Sequence, residues 1–312
     1  MSSPSTKSIR SDRALVGIGL RILATFFFAI MVAIVKYASA SVPTGEIMFA
    51  RSFFSLIPLL IMGLMQGNIR DSLTTSHPWR HVVRSIVGVA AMFSWFIVLS
   101  ILPLTEATAI SFAAPLLVVI LAATILKETV RFYRWTAVFI GLIGVLVILW
   151  PRLVSSTGDV ASFGVALALV STALMALAFI LIRRLTATEK NASIIFYFTV
   201  AATVFSLASM YWGWVMPSWE MCGLLVLAGL VGGVAQIAMT QAFRCAEASL
   251  LAPFDYINMV WAVLIGIYIF DEYPTPWVIA GGSIVVLAGL FIIYRENKLG
   301  ITKAQPRKVK SF

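Results

Sequence analysis

The sequence predicts an all-α membrane protein: ten transmembrane helices arranged as two inverted five-helix repeats. Three observations lead there. Of the 312 residues, 61% are hydrophobic and only 12% charged, so a water-soluble chain of this length would expose far too much apolar surface. The chain also carries ten apolar runs near the roughly 17–25 residues a helix needs to cross hydrocarbon. Finally, it repeats itself, from "EATAISFAAPLLVVILAATILKETVRFYRW" at Glu106 and from "EASLLAPFDYINMVWAVLIGIYIFDEYPTPW" at Glu247. Each copy has Glu-Ala, an early proline, a long apolar run, an acidic end, then tryptophan and a glycine-spaced final helix.

The apolar runs are 15–40, 46–65, 82–101, 105–126, 135–150, 163–182, 192–212, 221–243, 248–270 and 277–294. The first follows a polar, basic start and is too long for a signal-peptide core, so it is expected to remain as a span. Pro43, Pro103, Pro151, Pro217, Pro274 and Pro276 fall in the expected connections, where a missing N–H is harmless. Pro115 falls within the fourth run and should free the carbonyl of Ser111. The organisation expected is a tail (1–14), a first repeat (15–150), an outer linker (151–162), a second repeat (163–294) and a basic tail (295–312). Five spans is an odd number, so the second repeat enters the membrane upside down, an arrangement common among secondary transporters.

Basic residues set the orientation. With the N-terminus in the cytoplasm, twenty of the 23 Lys and Arg fall on the inner side. Only Arg152 lies in an outer connection, and Lys36 and Arg51 lie within spans. The formal net charge of +10 therefore reads as topology and contact with anionic lipid headgroups, not as a nucleic-acid surface. Both termini are expected in the cytoplasm, with the protein in a bacterial inner membrane. Cys222 and Cys245 sit near opposite ends of one expected helix, about 35 Å apart, too far for a disulfide.

No nucleotide-binding, zinc-hydrolase or serine-hydrolase motif is present, so no enzyme and no cofactor are expected. His77 and His81 have zinc-like spacing, but the proline between them and the lack of a third ligand argue against a metal.

Charges inside the membrane are expensive and demand partners. Depth along the helices suggests an outer group (Lys36, Glu46, Arg51, Glu106) and an inner group (Arg84, Arg244, Glu247, Asp255). The expectation is two gates around a site between them, with Asp255 paired to Arg84 or Arg244. Softer polar and aromatic groups fall between the levels: Trp95, Ser111, Gln236, Asp255, Tyr256, Asn258 and Trp261 are the candidate substrate contacts. Indole faces beside amide and hydroxyl groups suit a flat ligand with a polar tail. The small-residue run Gly229–Gly233 is expected to permit close helix packing.

The segments "ISFAAPLLVVILAATILKETVR" and "ASLLAPFDYINMVWAVLIGIYIFDE", with the ten-run plan, resemble the drug/metabolite transporter superfamily in its EamA-type branch. "VPTGEIMFARSFFSL", "LPLTEATAISFAAPLL" and "PFDYINMVWA" are similar to its bacterial riboflavin importers. The resemblance implies a small-molecule carrier working by alternating access, with riboflavin uptake as the first reading. Export of amino acids or related metabolites, and S-adenosylmethionine transport, are the alternatives. A non-transporting membrane scaffold is the reading from another class. The sequence leaves the oligomeric state open.

Overall fold

The computed structural model describes residues 6–65, 74–125, 132–154, 159–246, 251, 254–255 and 257–298. Among them every regular element is helical. In order they are α1 (Thr6–Ala38), α2 (Thr44–Met65), α3 (Pro78–Ile101), α4 (Leu104–Ser111), α5 (Ala113–Ile125), α6 (Phe132–Val154), α7 (Asp159–Thr186), α8 (Asn191–Ala208), α9 (Trp219–Cys245), α10 (Ile257–Phe270) and α11 (Pro276–Lys298). Seven segments are long and apolar enough to cross a membrane, α4 and α5 counting together, and three shorter apolar stretches lie in α6, α10 and α11.

Local chemistry sets several boundaries. Pro78 opens α3 where its absent N–H costs nothing, and Ser218 caps α9 by accepting from the Met221 N–H at 3.2 Å. Gly213, at φ +86°, turns the chain after the 3-10 turn Ser209–Trp212 that follows α8. The fourth apolar run breaks at Phe112, three residues before Pro115, which has no N–H for the Ser111 carbonyl. Two expectations fail here. Pro151 lies inside α6, near its end, and Pro276 is the first residue of α11, where its missing N–H is harmless.

Packing follows the small residues. α1 lies along α9, α2 against α8 and α9, α3 against α7 and α8, α6 on α11, and α10 against α4 and α1. Gly229, Gly232 and Gly233 form the contact face of α9: a Cβ at Gly229 would lie 2.9 Å from the Ala50 carbonyl oxygen, and one at Gly233 2.6 Å from Pro58. The close packing expected of this run is thus what it provides. The main core runs through Val35, Met48, Phe96, Leu99, Ile110 and Leu116, joining α1 to α5.

Candidate functional site

A cavity of about 240 Å³ lies within the bundle. α1 contributes Thr25 and Phe28, α2 Arg51, α3 Arg84 and Trp95, α4 Thr108 and Ser111, α8 Phe198, α9 Gln236 and α10 Asn258. Four expected contacts, Trp95, Ser111, Gln236 and Asn258, thus share one wall system. Ser111 also donates to the Thr108 carbonyl at 2.7 Å, which spares its hydroxyl an unpaired donor.

Arg51 and Arg84 are each only 3% exposed, yet both line this cavity. Arg84 folds back along α3 across Gly88, where any Cβ would collide with its Nη1. That fold carries its guanidinium about one turn, roughly 5.4 Å, deeper than its backbone position. The Phe198 ring lies under it at 4.3 Å. Arg51 approaches α9, where a Cβ on Gly232 would lie 3.3 Å from its Nε. The two arginines were expected on opposite levels. Their long side chains, and the room left by Gly88, bring both to one cavity instead.

Asp255 pairs with Arg21, which sequence reasoning had counted only as an inner-side basic residue. Arg21 Nε donates to Asp255 Oδ1 at 2.5 Å, and its Nη2 also contacts that oxygen. Phe243 and Phe179 flank the guanidinium at 5.1 and 5.7 Å. Neither Arg84 nor Arg244 takes the expected part, and Arg244 is exposed at the end of α9. In the last turn of α1, Lys36 Nζ lies 3.0 Å from Glu272 Oε1 and donates to the Leu102 carbonyl at 3.0 Å. Glu272 Oε2 accepts from the Leu104 N–H at 2.8 Å. Arg21 and Lys36 are separated by fifteen residues of α1, about 22 Å of helix. Asp255 and Glu272 bracket α10. The seam between α1 and α10 is therefore pinned by one ion pair at each end, with the cavity between them.

The remaining expected residues scatter. Glu46 accepts from the Val215 N–H at 3.0 Å and makes no ion pair with Arg51. Glu106 is half-buried in the first turn of α4. Trp261 packs edge-on against Phe26, with a buried Nε1 that has no hydrogen-bond partner, and it does not line the cavity. Tyr256 and Glu247 lie outside the described residues. His81 is buried beside Glu189 at 3.6 Å and against Tyr197. Among residues that sequence reasoning missed, Arg21 carried a visible signal: it lies within the first apolar run. Glu272 was visible only as part of the acidic end of the second repeat, with nothing to show its partner.

Comparison with known proteins adds to this geometry. The model of a family described as the EamA-like transporter family matches residues 15–150 and again residues 162–295. An S-adenosylmethionine uptake transporter of Rickettsia prowazekii is 33% identical, over 84% of this chain and 87% of its own. A pseudopaline exporter of Pseudomonas aeruginosa is 30% identical, over 87% and 94%. A riboflavin transporter of Rhizobium johnstonii is 27% identical, over 93% and 95%.

Proposed function

The chain belongs to the EamA-like transporter family, and we propose that it is a secondary transporter moving one small organic metabolite across a bacterial inner membrane by alternating access. It is a multi-pass membrane protein of a transporter family, not of an enzyme family. The observation that carries the mechanism is the cavity beside a seam latched at both ends. Opening the Lys36–Glu272 latch exposes the cavity to the outer face; opening the Arg21–Asp255 latch exposes it to the cytoplasm. A scaffold protein has no use for either.

In this reading the bundle is ten spans in two inverted halves, with both termini cytoplasmic. The packing supports the halves. Replace each span by its counterpart five spans on, and the α1–α9 contact becomes α7–α3, α2–α9 becomes α8–α3, and α5–α7 becomes α10–α1; all six are present. The α2–α8, α4–α10 and α6–α11 contacts map onto themselves. Riboflavin and S-adenosylmethionine are the two substrates to test first. Each has a flat heteroaromatic ring suited to Trp95 and Phe28, and each is named for a relative.

The test is uptake of radiolabelled riboflavin and S-adenosylmethionine by proteoliposomes. Protein-dependent uptake of one is expected, falling at least about tenfold with Asp255→Asn and with Glu272→Gln, since a lost latch biases the cavity to one face. Uptake that survives both substitutions unchanged would sink the latch mechanism.

A further inference from the structure

We infer that Arg51 and Arg84 form a binding site for an acidic group, and hence that the substrate carries a carboxylate or phosphate on an apolar or aromatic body. The inference deepens the carrier reading and rests on it. Both guanidiniums are permanently charged and almost wholly buried. Arg51 Nε and Arg84 Nε and Nη1 have no hydrogen-bond acceptor, and among the described residues neither arginine makes an ion pair. Buried charge is tolerated only when it is paired and hydrogen-bonded. Phe198 offers Arg84 a π-face but no acceptor.

The charges around the cavity point the same way. Its described lining includes three arginines and no carboxylate residue, and only Arg21 is compensated, by Asp255. Two positive charges therefore face the ligand without a protein counter-charge. A carboxylate or phosphate can satisfy both, because the guanidinium fork matches the geometry of such oxygens. The rest of the lining, with Trp95, suits an apolar body. A neutral flavin offers carbonyl and hydroxyl oxygens but no counter-charge. S-adenosylmethionine supplies one carboxylate but also two positive groups.

The experiment compares three probes of matched shape: 3-phenylpropionate, 3-phenylpropionamide and 3-phenylpropylamine. Each is added at constant ionic strength to the purified full chain in neutral detergent, and thermal unfolding is followed. The acid is expected to raise the midpoint by at least about 2 °C, and the amide and amine to leave it unmoved. In Arg51→Gln and Arg84→Gln the ligand-free midpoint should equal or exceed that of the unaltered chain, while the shift given by the acid disappears. A merely structural arginine would instead lower the ligand-free midpoint. An equal shift from the amide, a shift that survives both substitutions, or no shift from the acid overturns the inference. Proteoliposome counterflow separates the two claims. Acid binding without counterflow of any probe defeats the carrier reading and leaves the site standing. Undiminished riboflavin uptake by Arg51→Gln leaves the carrier standing and defeats the anion site.

Discussion

Glu272 ties together three parts of the fold, so substitutions there should separate into graded losses. Its Oε1 pairs with Lys36 at 3.0 Å, and its Oε2 takes the Leu104 N–H at 2.8 Å. Leu104 opens α4, whose N-cap, Pro103, supplies no side-chain cap, so Glu272 caps that helix from a distance. The pair is largely buried, with side-chain exposures of 12% for Lys36 and 23% for Glu272. Glu272→Ala removes both functions. A lost cap costs about 1 kcal/mol and an orphaned buried charge about 3–5 kcal/mol. Lys36 keeps the Leu102 carbonyl and the Phe270 face at 5.6 Å, which holds the charge cost to the lower end. The expected total is about 4 kcal/mol. Glu272→Gln keeps an oxygen for Leu104 and loses only the charge, so it should cost about 3 kcal/mol, less than Glu272→Ala by the cap alone. Unfolding free energies in mixed micelles, with Lys36→Met and the double variant completing a cycle, measure this. Equal losses for Glu272→Ala and Glu272→Gln, or a Lys36–Glu272 coupling under about 0.5 kcal/mol, would refute the reasoning.

Two other predictions follow from distances. Gly88→Ala places a methyl against Arg84 Nη1 and 2.9 Å from Phe198, so the Arg84 guanidinium must shift from its place over Gly88. Acid-probe binding should fall at least about tenfold, with a stability loss of about 1–3 kcal/mol from overpacking; titration of the probe and a melt on one preparation read both. At the inner latch, Arg21→Asp and Asp255→Arg should each cost about 3–5 kcal/mol, and the exchanged pair should recover at least half. Stability in mixed micelles checks this, and an exchanged pair no better than the worse single variant counts against the contact.

Much of the fold could be read from apolar run length alone, because lipid leaves the backbone few options besides helix. Four cavity-lining residues were legible for a related reason. Trp95, Ser111, Gln236 and Asn258 are polar-capable groups in long apolar runs, where few surroundings other than a cavity accommodate them. Asp255 showed by the same logic that it needed a partner. Which partner was not legible, because Arg21 lies 234 residues away and reaches it only through the packing of α1 on α10. Depth arithmetic separated Arg51 from Arg84, since it counts backbone positions. It could not register a side chain folding over Gly88 by a full helical turn.

The central claim is that two latches at opposite ends of the α1–α10 seam expose one cavity to opposite faces. The direct measurement is reactivity of Ser111→Cys toward a membrane-impermeant maleimide, with Cys222 and Cys245 replaced by serine, in intact cells and in inverted vesicles. Ser111 lines the cavity, so its labelling reports which face is open. The account predicts that Glu272→Gln raises labelling from outside and lowers it from inside, and that Asp255→Asn does the reverse. Shifts in the same direction for both variants, or no shift for either, would contradict it.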